Sequence, residues 1–135
     1  MDTSTPEPAL TGGELRRISA AMVSLYQEHF GTGPTGAKTY VVDDMVVVVL
    51  RDGLSSIERT LFERGKADVV RQMRSAFQDA VSDQFTSTIE HLTNRSVVAF
   101  MSQAHVGPDL AIEVFFLDKA VGPVGVLELD ADETN

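Results

Sequence analysis

The stretch from Lys38 to Leu50 constrains this chain more than any other part of it. Two β-rich runs, Lys38 to Val42 and Met45 to Leu50, flank the polar pair Asp43-Asp44. Such runs separated by two polar residues read as a tight hairpin. Side chains alternate along a strand. Pairing Val42 with Met45 therefore puts Tyr40, Val42, Met45, Val47 and Val49 on one face, and Val41, Val46 and Val48 on the other. Both faces are apolar. A strand of that kind needs cover on both sides, or it lies at an interface.

The flanking patterns supply the other elements. Thr11-Gly12-Gly13-Glu14 is a T-x-x-E capping box. Leu15, Ile18, Met22, Leu25, Tyr26, His29 and Phe30 follow at helical steps. Gly31 stands where a left-handed terminator belongs. Ser55-Ser56-Ile57-Glu58 is a second capping box, opening a short helix that Gly65 interrupts. A long helix is expected from Ala67 to Thr93, with Val70, Met73, Phe77, Val81, Phe85, Ile89 and Leu92 as its apolar stripe and Asn94 as its terminator. Ser96 to Val106 and Leu110 to Asp118 form a second hairpin around Gly107-Pro108-Asp109. The order is α-β-β-α-α-β-β. Hairpins are antiparallel, so the expected fold is α+β, a four-stranded, mainly antiparallel sheet with helices packed on one face. Residues 1–12 read as a disordered tail and 13–118 as one domain. Residues 119–135 read as a second tail, in which Val126 to Leu129 can add a short edge strand.

Composition removes several function classes. The 135 residues suffice for one core without disulfides or metals. No Cys is present, which excludes thiolate zinc sites, iron–sulfur clusters and cysteine nucleophiles. The net charge of −9 argues against nucleic acid and against anionic lipid surfaces. Residues 1–12 lack the basic and apolar regions of a signal peptide, and Met45 to Leu50 is too short to span a bilayer. A soluble cytoplasmic protein without direct membrane insertion is expected.

No motif points to catalysis. Gly31-Thr32-Gly33-Pro34-Thr35-Gly36 matches G-x-G-x-x-G literally, but it follows a helix and opens a strand. That is the reverse of the dinucleotide-binding order, and it would set a phosphate against the negative end of the helix dipole. Lys38-Thr39 gives the same loop a superficial P-loop ending, spoiled by the intruding Ala37. Gly31, Gly33, Pro34, Asp43 and Asp44 therefore read as turn formers. His29, His91 and His105 fall in three different elements, with no i, i+4 pair. No catalytic residue, metal or cofactor is expected. Two surface readings stay open. Arg59, Arg64, Lys66, Arg71 and Arg74 form a basic stretch suited to an acidic partner, partly offset by Glu58, Glu63 and Asp68. Tyr40, Met101, Gln103 and His105 could line a small-molecule pocket between sheet and helices.

Several of these segments together resemble the MpsC-like family, small prokaryotic domains named from a cation-translocating, membrane-potential-generating system. The similar features begin with the helix ending in Gly31-Thr32-Gly33-Pro34 and the hairpin from Tyr40 to Val48. They continue through Leu54, Glu58-Arg59-Thr60-Leu61, Gly65 and Arg74. Ile89-Glu90-His91-Leu92-Thr93-Asn94-Arg95, Val97 and Val114-Phe115-Phe116-Leu117 complete the match, over roughly 13–118. Asn94 departs from the family pattern, which has Gly before the Arg, but Asn tolerates the same left-handed backbone. The resemblance implies a non-enzymatic accessory or regulatory module of a membrane ion or bicarbonate transport system, working through a protein partner.

A homodimer is also expected. A helix from Ala67 to Thr93 is roughly 40 Å long at 1.5 Å per residue, whereas strands here span about 20–27 Å. Either the helix overhangs its sheet, or the first helix covers it and leaves the valine hairpin bare on its outer face. Symmetric pairing of two such surfaces is the commonest closed solution.

Overall fold

A computed structural model describes residues 8–122 and the backbone of 127–130. The elements are α1 (Gly12–Phe30), β1 (Gly36–Val42), β2 (Met45–Arg51), α2 (Ser56–Glu63), α3 (Ala67–Thr93), β3 (Val97–His105), β4 (Leu110–Leu117) and β5 (Leu127–Asp130). The α-β-β-α-α-β-β order is as read from the sequence. The antiparallel sheet runs β3-β4-β2-β1-β5. The two hairpins thus join through β2 and β4, and β5 adds a fifth strand at the β1 edge.

The local signals act as expected. Thr11 and Ser55 both close reciprocal capping boxes, with Glu14 and Glu58. Gly31 ends α1 at φ 82° and Asn94 ends α3 at φ 55°, both left-handed. Asp43 sits at φ 55° in the turn between Val42 and Met45. That turn also anchors the chain beyond β4. Asp44 carbonyl accepts from Leu117 N–H at 2.8 Å, and Asp43 carbonyl from Val121 N–H at 2.6 Å.

Helices α1 and α3 lie side by side over one face of the sheet. Beneath them Val41, Val46, Val48, Leu50, Ala111, Phe115 and Leu117 meet Leu15, Ile18, Met22, Tyr26, Phe85 and Ile89 in the main core. A smaller cluster of Leu54, Val70 and Val106 joins α2 and the start of α3. The long helix is therefore covered along its length within one chain, by α2 at one end and by α1 and β3 beyond. Its buried line also differs from the expected stripe. Arg74 takes an inward position, and Met73 is turned out to solvent.

The ordered domain reaches past the expected tail boundary at residue 12. Leu10 is buried and donates from its N–H to Val121 carbonyl at 2.9 Å. Buried Arg95 holds the segment before α1 to the segment after β4, donating to Pro8 carbonyl at 2.7 Å, Ala120 carbonyl at 3.0 Å and Thr93 carbonyl at 2.8 Å. Three carbonyl acceptors leave little of its guanidinium unsatisfied, which is what burial of an arginine requires. The expected disorder of 1–7 and 131–135 lies outside the described residues.

Candidate functional site

The two sheet faces differ in chemistry, and the register shows how. On the helix side, β1, β2, β4 and β3 contribute the cross-strand row Thr39, Val48, Glu113 and Ser102. On the opposite side the neighbouring row is Tyr40, Val47, Val114 and Met101. It is flanked by Val42, Met45, Phe116 and Ala99, and by Lys38, Val49, Ile112 and Gln103. The covered face thus carries polar groups, and the uncovered face is mainly apolar across β2 and β4, with Lys38, Gln103 and the β5 partners Glu128 and Asp130 toward its edges.

The inner polar groups form two linked centres. Glu58, the capping-box acid of α2, is fully buried. Its Oε1 accepts from Ser55 N–H at 2.9 Å and from Arg74 Nη2 at 2.6 Å, and its Oε2 accepts from Arg74 Nε at 2.7 Å. Arg74 also donates to Gly53 carbonyl at 2.8 Å, and its guanidinium lies 4.2 Å from the centre of the Phe30 ring. Burial pushes the Glu58 carboxyl up, but the Arg74 hydrogen bonds, the Ser55 N–H and the Arg74 charge outweigh it and hold the pKa below its ordinary value. This is a closed, bidentate ion pair tying α2 to α3.

Glu113 is the second centre. One oxygen, Oε2, accepts from Tyr26 Oη at 2.5 Å. The other, Oε1, is buried with no hydrogen-bond partner among the described residues. Burial raises the carboxyl to about 7, against the lowering effects of Ser102, Tyr26 and Arg74. Burial, and then the Glu113 charge, push the Tyr26 phenol upward. The Ser102 hydroxyl lies close enough to act on Glu113, yet no hydrogen bond of ordinary geometry closes between them. A cleft of about 350 Å³ opens beside Ser102, lined by Ser75, Gln78, Asp79, Ser82, Thr86 and Phe100. Gln78 Nε2 is a further buried group without a partner. By contrast, the crevice between Tyr26, Arg74 and Asp109 holds only about 10 Å³, room for one water.

The residues singled out from the sequence scatter around these centres. Tyr40, Met101 and Gln103 sit on the sheet face away from the helices. Met101 and Gln103 line a shallow outer depression with Ile112 and Val114. His105 caps the β3–β4 turn, its Nδ1 2.8 Å from Pro108 carbonyl. None of the four lines the cleft beside Ser102; strand parity puts Tyr40, Met101 and Gln103 on the opposite side, and His105 lines only the small crevice by Arg74 and Asp109. Of the five basic residues, Arg59, Arg64, Lys66 and Arg71 are exposed. Arg74 leaves the patch, since helical spacing turns it inward to Glu58. The turn residues are placed as expected. A Cβ on Gly33 would meet Gln27 Cγ at 2.5 Å, so the loop needs glycine there. Sequence reading missed Glu113, Ser102 and Gln78. The legible signal was one carboxylate in the apolar run Leu110 to Leu117, in phase with Ala111, Phe115 and Leu117.

The family model described as "Na+-translocating membrane potential-generating system (MpsC)" matches residues 12–119. The chain belongs to the MpsC family. It is also 29% identical, over 99 residues, to YrhF of Bacillus subtilis (strain 168), a protein described as uncharacterized. That match covers 72% of this chain and 81% of YrhF. No solved structure matches. In this chain Gly31 and Asn94 end helices, Glu58 and Arg74 pair in the core, and Arg95 joins Pro8 to Ala120. The family is named for a membrane-potential-generating system. No helix among the described residues is long and apolar enough to cross a membrane.

Proposed function

We propose that this MpsC-family chain is a non-enzymatic accessory module of a membrane ion-transport system, acting as a homodimer through protein contacts. The uncovered sheet face carries the reading. Across β1, β2, β4 and β3 its three rows contain Lys38 and no acidic residue, and acidic residues enter only at the β5 edge, where Glu128 pairs with Tyr40 and Asp130 with Lys38. Depletion of charge with enrichment of aromatic, Met and aliphatic groups is the composition of an interface core. Met101 and Ile112 are 54% and 36% exposed there. The occupant that fits is a second copy. Two such faces packed at about 10 Å, as in a sheet sandwich, would bury the apolar rows and leave the helical layers outward.

A separate surface suits the transport partner. Ile57, Phe62 and Met73 are exposed at 70%, 40% and 42% around α2 and the start of α3. Arg59, Arg64, Lys66 and Arg71 are exposed in the same segment, partly offset by exposed Glu63 and Asp68. Apolar anchors beside a net excess of cations favour an acidic segment with apolar side chains. The test is affinity capture from native membranes in mild detergent, with the chain bearing Arg59→Glu and Arg64→Glu as control. Recovery of an identified ion-transport subunit by the wild type, and its loss with the control, is the expected result. Equal recovery with both chains, or none with either, contradicts the reading.

A further inference from the structure

The sheet ends in β5 on one side and in β3 on the other. Sheet edges are normally blunted by short length, charge or proline. The β5 edge is four residues long and carries Glu128 and Asp130. The β3 edge runs for nine residues, Val97–His105, with no Asp, Glu, Lys, Arg or Pro. No strand lies beyond it among the described residues. Its register shift falls between Val97 and Ala99, and the pairing is regular from there to His105. The hydrogen bonds around β4 fix which backbone groups this edge presents. Leu117 N–H donates to Asp44 carbonyl at 2.8 Å, and Asp52 N–H to Asp109 carbonyl at 3.1 Å. Odd-numbered positions along β4 therefore address β2, and even-numbered positions address β3. The partners of those even positions are Ala99, Met101, Gln103 and His105. The N–H and C=O groups of Phe100, Ser102 and Ala104 thus point away from the sheet.

We propose that the β3 edge takes up an extended segment of a partner protein as an added antiparallel strand, whose alternate side chains enter the cleft between α3 and β3. Strand addition of this kind draws affinity from backbone hydrogen bonds and specificity from pockets for alternate side chains. The cleft is the second, independent observation. It is lined by α3 and β3 alone, with no side chain from β4, so it opens on the flank where a new strand would lie. Two of its lining residues, Gln78 and Ser102, have buried side-chain atoms, Nε2 and Oγ, without a hydrogen-bond partner. Native proteins seldom leave such groups unpaired. Opposed residues of an antiparallel pair share a face. The segment's residues opposite Phe100, Ser102 and Ala104 therefore turn their side chains toward α3, and the same residues bond the outward backbone groups of β3. Charge selects their type. The cleft contains Asp79 and no cationic side chain, so it favours hydroxyl and ammonium donors and rejects carboxylates. The remaining side chains of the segment fall on the outer face beside exposed Met101, where apolar groups fit. A second copy fits the edge less well, because pairing β3 with β3 would set two Asp79-bearing clefts side by side with no cation in either.

This inference does not depend on either docking surface described above. The probe is a fluorescein-labelled peptide as long as β3, nine residues, that alternates valine with threonine and has lysine in place of one threonine. It is made in two forms with equal numbers of backbone N-methyl groups, on the valines in one and on the threonines and lysine in the other. The two forms have the same charge and side chains, so they differ only in which N–H groups survive. Fluorescence anisotropy with the full chain at physiological salt reads the binding. The valine-methylated form keeps the N–H groups that face β3 and should bind. The other form should bind about tenfold more weakly or worse. Ser102→Pro removes an outward N–H while leaving the β4 ladder intact, and it should weaken the valine-methylated form about tenfold. Equal binding of the two forms, the reverse order, or no binding of either overturns the proposal. No binding of either, with a wild-type dimer that Ser102→Pro dissociates, would give the edge to a second copy instead. If Ser102→Pro fails to fold by circular dichroism, the two peptide forms on the wild-type chain decide.

Discussion

The inner and outer faces of this sheet invert the usual arrangement. Beneath the helices, the row Thr39, Val48, Glu113 and Ser102 places polar groups in the core. A strand layer away, Tyr40, Val47, Val114 and Met101 form an apolar row toward solvent. Of the inner polar groups, Thr39 Oγ1 is tied to Ser19 Oγ at 2.6 Å and Glu113 Oε2 to Tyr26, while Glu113 Oε1 and Ser102 Oγ have no hydrogen-bond partner among the described residues. No described helix packs on the outer rows. Buried polar groups are costly unless satisfied, whereas exposed apolar rows of this extent mark contact surfaces. The difference teaches that burial in one chain is a poor guide to role here. The inner face holds the fold together, and the outer face is the surface we propose for contact with a second copy.

The comparison is broken most severely from inside. Arg74→Met leaves Glu58 as a buried, unpaired charge and should cost about 3–5 kcal/mol. Phe85→Ala, which removes a ring that is 1% exposed, should cost a similar 3–5 kcal/mol. Chemical denaturation at fixed protein concentration measures both. Losses under about 1 kcal/mol would show the inner face to be less committed than its contacts imply.

Next in size is the pH response. Glu113 is raised from 4.5 to about 7 in the fold, so the folded chain keeps a proton that the unfolded chain loses. Its contribution is therefore full below pH 4.5 and is lost as pH rises toward 7. Glu58 has the opposite sign. Its lowered pKa gives stability that is present above 4.5 and lost as pH falls through the folded value. Glu113→Gln should flatten the decline between 4.5 and 7, and above pH 7 it should be more stable than wild type by up to about 3 kcal/mol. Urea midpoints across pH 4–8 read this out. A decline retained in the variant would assign it to another group.

Smaller still is the effect of Val47→Lys on the fold. Val47 is half-buried on the outer face, so the substitution should change the monomer's stability by no more than about 1 kcal/mol and leave the circular dichroism spectrum intact. Smallest is Arg59→Glu with Arg64→Glu, expected within about 0.5 kcal/mol of wild type while removing partner capture. A collapse of the fold in either case would mean that these side chains do structural work the geometry does not show.

Much of the fold was legible because its signals are local. Two capping boxes, two left-handed terminators and the Asp43-Asp44 turn each act within a few residues, and each appears where the sequence set it. The valine hairpin gave its register and both faces correctly. The site was less legible because it depends on pairings distant in sequence. Tyr26 and Glu113 are 87 residues apart, and Arg74 is 16 residues from Glu58. Periodicity counted Tyr26 as apolar and read Arg74 as surface, since an arginine on a helix is usually solvated. Met73 was drawn into the apolar stripe because a Met at helical spacing looks like core, whereas the helix turns Arg74 inward at that level. Tyr40, Met101 and Gln103 were expected to line a pocket under the helices. Parity alone does not say which face the helices choose.

Sedimentation equilibrium at micromolar concentration tests the outer-face reading most directly, with wild type and Val47→Lys run side by side. The expected result is a wild-type mass near twice 14.6 kDa and a variant mass near 14.6 kDa, with unchanged circular dichroism. A wild-type mass that stays near 14.6 kDa across the concentration range would contradict it.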